Sequence, residues 1–472
     1  MNKSIAPPRA EINVSVFNGT YYALYMFIFL LAELVIQDRA AAAVGAEAVV
    51  PAYCVGLIAT AAGYLLLPLS RALVRGEAAR RAMLVCAGAI FLFSFGLIVF
   101  VGSPFFFMLL AAVAMLAIGY VGAFVHYAAA VDMDGSPHLG ITVGGAVCAA
   151  VLIQYLVQNY TKTAPALMAS AAAALALSLW MPLKGQKDER RPLRPGAEES
   201  PKTANDKLTC VIAACLMSAA IGISDAIVTD FSARGDVTLS AYPRLFYAVS
   251  LVMAGFIADI KDRRCLPIAT VCVLLFSVIV TSFLEGSFGF VISLATLYFL
   301  GGFVILYITL AFMEMAPRTA APALWAGMGR VVRSLTIGFI AVPGVKLFQH
   351  AGHHLLTIIS ICLSLAVLLL FYAAGKLNNS SGEKSPAGGT AASFAGRYGL
   401  SGRENEIAEL VIMSDDSINE LAEQMAISGR AFQRSLTAIY EKTGTKSRLG
   451  LLRLYYECLA EEEAARESDT TA

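Results

Sequence analysis

Six ionisable or strongly polar side chains lie inside long apolar runs of this sequence, and they are the residues best placed for binding chemistry. They are Glu33, His126, Gln154, Asp225, Arg330 and Arg333. A charged group in a hydrocarbon core is costly, so such residues usually face one another, a cavity or a ligand. We interpret them as candidate ligand-binding residues. The alternative is hydrogen bonding between helices, or snorkelling for groups near the end of a run.

Arg330 and Arg333 lie about one helical turn apart, so a helix would present both guanidinium groups on one side. Planar guanidinium groups suit carboxylate or phenolate oxygens. The pattern therefore predicts a site for an anionic ligand, although a purely structural pair of Arg330 with Asp225 is equally compatible.

Residue combinations typical of enzymes are missing from the sequence. We find no nucleophile–base set, phosphate-binding loop or metal-ligand spacing. The nine cysteines form no C-x-x-C pair and fit reduced thiols in lipid or cytosol. We predict that the protein is not an enzyme and has no cofactor or metal.

The composition places these residues in a membrane. Of the 472 residues, 58% are apolar and 15% are charged, whereas soluble domains average about 25% charged residues. The apolar residues form runs of about 20, long enough to cross a bilayer core of roughly 30 Å. The sequence thus predicts an all-α polytopic membrane protein that contacts the lipid bilayer.

Twelve candidate spans follow from these runs, six on each side of a polar break at 184–207. The halves occupy 16–183 and 208–375, and the prolines of the break favour a flexible cytoplasmic linker over a helix. The spans are roughly 16–37, 49–70, 82–102, 104–128, 139–158, 164–183, 208–230, 241–260, 265–284, 288–312, 321–347 and 352–375.

Lys and Arg residues concentrate in alternate loops, including the polar break. The positive-inside rule then places both termini in the cytoplasm. The predicted location is the cell (inner, cytoplasmic) membrane. The polar residues 1–15 are interpreted as a cytoplasmic lead-in and not as a cleaved signal peptide.

The loop G-F-I-A-D-I-K-D-R-R (Gly255–Arg264) follows the eighth span. It is similar to the G-x-L-A-D-R-x-G-R-R loop of the major facilitator superfamily, with Ile260 and Asp262 departing from the pattern. The equivalent stretch of the first half, 68–81, has Arg71 where an acidic residue is expected. The resemblance, together with the 6+6 division, implies the fold of that superfamily with its loop clamping the ends of neighbouring helices. It does not imply transport.

The composition changes after Gly375. Residues 376–396 are rich in Gly, Ser, Ala and Asn and predict a flexible tether. Residues 397–458 predict a soluble helical domain, and 459–472 an acidic tail. Two Ser-x-x-Glu capping boxes, Ser401–Glu404 and Ser417–Glu420, begin helices, Ser428 caps the next helix, and Gly444 can end it. Together with a fourth helix near Ser447, they predict a four-helix unit with helix-turn-helix geometry.

The order of residues in 398–456 resembles the LuxR-type DNA-binding domain. That family opens L-T-x-R-E-x-E-V, continues I-A-x-x-L-x-I-S and closes I-Y-x-K-x-G-x-x-S-R. The matching positions are Leu400, Ser401, Arg403, Glu404, Glu406, Ile407, Leu421, Ala422, Met425, Ile427, Ser428, Ile439, Tyr440, Lys442, Gly444, Ser447 and Arg448.

The resemblance implies that the helix after Ser428 reads DNA. Gln433 replaces a Lys that is usual in the family, and Arg434 supplies a positive charge one place later. Gln suits adenine edges, and Arg suits guanine or phosphate. The predicted DNA-binding residues are Arg430, Gln433, Arg434, Lys442, Lys446 and Arg448. A helical protein-interaction module with a solvated basic face is the alternative.

These features favour a membrane-bound transcriptional regulator. In that hypothesis the transporter-like unit senses a small-molecule ligand and controls binding of promoter DNA by the cytoplasmic domain, which would form a homodimer on DNA. The alternative hypothesis is a secondary transporter, or a transceptor, with an accessory regulatory tail.

Overall fold

The structure is a computed structural model of the chain. It describes residues 8–74, 76–161, 164–185, 201–235, 243–260, 265–283, 286–382, 394–413, 418, 421–422, 425, 427–445, 447–448 and 450–458. Every regular element among these residues is helical. The chain divides into two units, Met1–Phe371 and Tyr372–Ala472, which we call the membrane unit and the tail unit.

Ten helices precede the last long helical stretch of the membrane unit. They are α1 (Pro8–Ala43), α2 (Val49–Leu73), α3 (Glu77–Ile98), α4 (Pro104–Asp132), α5 (Leu139–Tyr160), α6 (Ala164–Gly185), α7 (Pro201–Arg234), α8 (Pro243–Ala258), α9 (Cys265–Phe283) and α10 (Gly286–Met315). The stretch Pro322–Gly382 is interrupted at Gly352, whose φ of 71° is left-handed. We name its membrane-length parts α11 (Pro322–Gly352) and α12 (His354–Gly375).

Nine of the described helices are long and apolar enough to cross a membrane. The predicted sixth, eighth and ninth spans coincide with shorter apolar helices, Ala166–Leu179, Arg244–Ala258 and Cys265–Ser277. A polytopic helical membrane unit is therefore found, and the number of twelve spans stays a prediction.

Helix is present in parts of both segments that the sequence assigns to linkers. Helix α7 begins at Pro201, so 201–207 are helical and not linker. Proline is favoured in the first turn of a helix, where its missing N–H leaves no bond unmade. Helix likewise continues to Gly382 and includes 394–396, within the predicted tether of 376–396.

Glycines allow the closest helix contacts in the first half. A Cβ on Gly63 of α2 would overlap the carbonyl oxygen of Leu116 on α4. A Cβ on Gly119 would lie 2.5 Å from the carbonyl oxygen of Thr60. Small residues let helix backbones approach in this way inside membranes, where burial of apolar surface does not drive association.

The two halves of the membrane unit meet where α5 packs against α8. A Cβ on Gly144 would lie 2.5 Å from the carbonyl oxygen of Leu251, and one on Gly255 would lie 2.9 Å from that of Gly140. Glycine is thus required on both helices of this contact.

Asp259, from the predicted loop motif, caps one end of the α5–α8 contact. Its carboxylate accepts hydrogen bonds from the backbone N–H groups of Gly140 and Ile141, each 2.8 Å long. A helix N-terminus presents unpaired N–H groups and favours a negative charge, so this contact holds α5 against the end of α8. The expected clamping role of the loop agrees with this geometry at Asp259, and 261–264 lie outside the described residues.

The tail unit has its own apolar core around α13 (Gly402–Met413) and α14 (Gly429–Thr443), with further helix at 394–398 and 450–458. The buried side chains of this core include Phe394, Ile407, Leu421, Phe432, Ile439, Leu451 and Tyr455.

The predicted helix caps of the tail unit are confirmed where they are described. Ser401 and Glu404 bond reciprocally to each other's backbone N–H, Ser428 accepts from Ala431, and Gly444 has a left-handed φ of 67°. The capping box at 417–420 lies outside the described residues except for Ile418. The four-helix count stays a prediction.

Candidate functional site

Four of the six predicted membrane residues come together between the two halves. Glu33 of α1 interacts electrostatically with Asp225 of α7, with Arg330 and Arg333 of α11 and also with Arg244 of α8. Residues nearly 300 positions apart in the sequence therefore belong to one group, in which the four predicted residues are two acids and two bases. We call these four residues the charged cluster.

A network of tyrosines surrounds His126 beside the charged cluster. The Tyr22 hydroxyl lies 2.9 Å from His126 Nε2, and the Tyr64 hydroxyl lies 3.0 Å from Nδ1. Tyr25 and Tyr64 bond to each other through their hydroxyls at 2.9 Å. All three phenols interact electrostatically with Arg330. His126 is 3% exposed, so it lies inside the protein and does not snorkel.

The tautomer of His126 follows from its backbone contact. Nδ1 lies 2.8 Å from the carbonyl oxygen of Gly122, which only accepts hydrogen bonds. Nδ1 therefore carries the hydrogen, and in the neutral ring Nε2 accepts the hydrogen bond that the Tyr22 hydroxyl donates. In the neutral ring both nitrogens therefore have hydrogen-bond partners, and within the Tyr25–Tyr64 pair one hydroxyl donates to the other.

Arg330 is held by an aromatic ring and not by a carboxylate. Its guanidinium carbon lies 4.0 Å from the centroid of the Phe29 ring, a cation–π contact. Its Nε is buried without a hydrogen-bond partner, and no carboxylate of the described residues lies within 4 Å of the guanidinium. A half-buried cation with a buried, unused donor is suited to bind an anionic group.

Asp225 is engaged elsewhere, because its carboxylate accepts a 2.9 Å hydrogen bond from the Tyr53 hydroxyl. The structural pair of Arg330 with Asp225 is therefore not formed in the described part of the chain. Glu33 has neither a hydrogen bond nor an ion pair among those residues.

Gln154 bonds to the backbone of α1 and not to the side chains of the charged cluster. It is 3% exposed, and its Nε2 donates to the carbonyl oxygen of Leu30 at 3.3 Å. Its contact joins α5 to α1, which agrees with the alternative of hydrogen bonding between helices.

The sequence did not identify the aromatic residues of this region, which are Tyr22, Tyr25, Phe29, Tyr53 and Tyr64. The available signal was the concentration of tyrosines at 21–25 of the first span. Tyrosine tolerates both apolar and polar surroundings, so composition alone does not separate a site residue from a packing residue.

A cavity of about 120 Å³ lies among α7, α9, α10 and α12. Serines and apolar residues line it, including Ser224, Ser293, Ser360 and Leu297. No charged residue is among its described lining residues, so the cavity does not provide an ion site.

The predicted DNA-binding residues of the tail unit fall into two sets. Arg430, Gln433 and Arg434 are exposed on α14. Lys442 instead donates hydrogen bonds to Glu404 Oε2 at 2.7 Å and to the carbonyl oxygen of Gly399 at 3.2 Å. Arg448 Nε donates to the carbonyl oxygen of Val411 at 2.9 Å, and Lys446 lies outside the described residues.

No family model matches the chain, and no match was found among curated proteins. Solved structures are similar to it in fold. The human organic anion transporter MFSD10 (TETRAN) matches with a TM-score of 0.52 and 15% identity, over 78% of this chain and 100% of that one. A bacterial homologue of the iron transporter ferroportin, in an outward-facing state, matches with a TM-score of 0.50 and 12% identity, over 77% and 99%. The membrane unit therefore has a fold similar to that of these two transporters.

Proposed function

We propose that the membrane unit is a secondary transporter of a small organic molecule that carries a carboxylate or similar anionic group, with Arg330 as the anion-binding residue. The observation that carries the proposal is the state of Arg330, a half-buried cation whose buried Nε has no partner and which has no carboxylate within 4 Å in the described part of the chain. Desolvated charges are retained where a partner compensates them. The transporter fold of the neighbours favours this alternative over a sensor without transport.

The contacts between the halves suit a movement that opens the charged cluster to either side. At the Asp259 end of α5 and α8, two backbone hydrogen bonds hold the helices together. At the other end, Arg244 of α8 donates a 2.8 Å hydrogen bond to the Gln158 side chain of α5. A few polar contacts at each end of a glycine-rich contact are readily broken and remade.

The test of the transport proposal is uptake into proteoliposomes that contain the full chain. The substrates are radiolabelled aromatic carboxylates, including 3-phenylpropanoate and phenylalanine. We expect Arg330→Gln to reduce uptake of any transported carboxylate by at least about ten-fold, because it removes a desolvated charge from the ligand's carboxylate. Arg330→Lys should retain part of the uptake, since the lysine ammonium keeps the positive charge but lacks the planar guanidinium donors.

The matched control is Arg318→Gln, which removes the same charge at an exposed position. Uptake by the control should equal that of the unmodified protein. Undiminished uptake by Arg330→Gln, or no uptake of any carboxylate by correctly inserted protein, would contradict the proposal.

As a second function, we propose that the tail unit is a LuxR-type DNA-binding domain through which the protein regulates transcription. The supporting observation is α14, which buries Phe432, Leu436 and Ile439 while Arg430, Gln433 and Arg434 are exposed. An exposed row of Arg and Gln on one helix is typical of major-groove recognition. A homodimer would bind promoter DNA, and ligand in the membrane unit would set its occupancy. Arg434→Ala, compared by transcript analysis with the unmodified strain, tests this proposal.

A further inference from the structure

We infer that the site takes a zwitterion, a small molecule that carries both an acid and an amine on a largely aromatic body. The inference rests on the proposed function and narrows its substrate class. It follows from two side chains of opposite charge, Glu33 and Arg330, that have no hydrogen bond or ion pair among the described residues. The Arg330 guanidinium lies over the ring of Phe29, which is one helical turn from Glu33 on α1.

The charged groups around Glu33 are Asp225, Arg244, Arg330 and Arg333, and two of them already have a polar partner. Asp225 accepts from the Tyr53 hydroxyl, and Arg244 donates to the Gln158 side chain. Glu33 and Arg330 have no hydrogen bond or ion pair among the described residues, and an uncompensated charge in a medium of low dielectric constant is expensive. A zwitterion supplies a partner of opposite charge to each of them.

Glu33 influences which ligand suits Arg330. An anion bound at Arg330 lies near a carboxylate that has no donor of its own, so the two negative charges repel each other. An amine carried by the same ligand turns this repulsion into a second ion pair. A simple anion leaves the Glu33 carboxylate without a partner, and the site therefore binds it less tightly than a zwitterion.

The surroundings of Arg330 favour an aromatic body. Phe29 lies against the guanidinium, and the hydroxyls of Tyr22, Tyr25 and Tyr64 are bonded to one another or to His126. Hydroxyls that are already paired leave mainly ring surface for a ligand. Aromatic rings pack well against such surface in stacked or edge-to-face arrangements.

The test compares probes that share one skeleton and differ only in charge. The phenyl series is phenylalanine, 3-phenylpropanoate and phenethylamine, and the indole series is tryptophan, indole-3-propanoate and tryptamine. Binding to the purified full chain is measured as the ligand-dependent rise in melting temperature across a concentration range. In at least one series we expect the zwitterion to bind at least about ten-fold more tightly than either analogue.

Glu33→Gln should remove the preference for the amine, so that the carboxylate and the zwitterion of that series bind with similar affinity. Glu47→Gln, the same change at an exposed position, is the control and should keep the preference. The comparison within the unmodified protein decides the question even if Glu33→Gln does not fold.

The outcomes separate this inference from the proposed function. If a carboxylate without an amine binds as tightly as its zwitterion and depends on Arg330, the inference is overturned and the anion proposal stands. If no zwitterion of either series binds, the inference is overturned as well. Binding of a zwitterion that does not change in Arg330→Gln would overturn both.

Discussion

At the scale of single residues, one carboxylate joins two helices of the tail unit. Glu404 Oε2 accepts from the backbone N–H of Ser401 and from Lys442 Nζ, each at 2.7 Å. The same oxygen therefore caps α13 and fixes the last turn of α14. The hydrogen bond from Lys442, with that from Ser401, lowers the pKa of the Glu404 carboxyl to about 2.

This pKa gives the tail unit a defined acid response. Because the folded pKa lies below the usual value of 4.5, the stabilisation is complete above pH 4.5 and is lost as the pH falls towards about 2. Glu404→Gln keeps a cap acceptor but loses the ion pair. Hydrogen exchange of α13 and α14 in the variant should exceed that of the unmodified protein at pH 7, and the difference should shrink below pH 4.5 and vanish below about pH 2. Glu406→Gln, at an exposed position, should show no difference at any pH, and a difference for Glu404→Gln that persists at low pH would contradict the assignment.

Local sequence predicted one of the two Glu404 contacts. Ser401 is three residues away, so the capping box could be recognised, whereas Lys442 is 38 residues away and is brought close only by packing of α13 on α14. The charged cluster shows the same limit. An ionisable residue in an apolar run is conspicuous, so Glu33, Asp225, Arg330 and Arg333 were identified. That Asp225 bonds to Tyr53 and not to Arg330 depends on helix placement.

At the scale of helices, glycine spacing controls the contact between the halves. Gly144 and Gly145 are neighbours on α5, but Gly144 is in a crowded position and Gly145 is in an open one. A Cβ at Gly144 would lie 2.5 Å from the carbonyl oxygen of Leu251, a backbone atom of α8, whereas a Cβ at Gly145 meets nothing within 4 Å.

Adjacent alanine substitutions test this contact. We expect Gly144→Ala to destabilise the folded protein by about 1–3 kcal/mol, because backbone atoms of α8 must move to admit the methyl group. Gly145→Ala should leave the melting temperature unchanged or slightly raise it, since alanine is the better helix former. The measurement is thermal unfolding of both variants in the same detergent. Equal melting temperatures would show that α5 and α8 do not approach this closely.

Apolar runs predicted where the helices lie better than where they end. A run of about 20 apolar residues identifies a span, but ends are set by caps and by the first residue able to continue the helix. Helix α7 begins at Pro201, in a stretch that its charge and prolines favoured as linker. The contact of Asp259 with the start of α5 could be predicted only because its loop resembles the major facilitator superfamily loop.

At the scale of the whole molecule, each of the two units has its own apolar core. The change of composition after Gly375 predicted this division. A unit with a complete core can keep its structure when the chemistry of the other is altered. We therefore expect a variant in one unit to leave the fold of the other intact, so that its effect on the other unit's function can be measured.

The last prediction combines the Arg330 and Arg434 variants in one strain background. Arg434→Ala should leave uptake unchanged and abolish transcript regulation, because it removes an exposed charge from α14 only. Arg330→Gln should lose uptake and the response of those transcripts to substrate, because a transceptor reads its ligand at the site that transports it. Arg453→Ala removes an exposed arginine outside α14, and we expect it to change neither measurement. If Arg434→Ala leaves every transcript unchanged at normal protein levels, the DNA-binding proposal fails while transport stands. If Arg330→Gln loses uptake but its transcripts still respond to substrate, the tail unit responds to something other than the transport site.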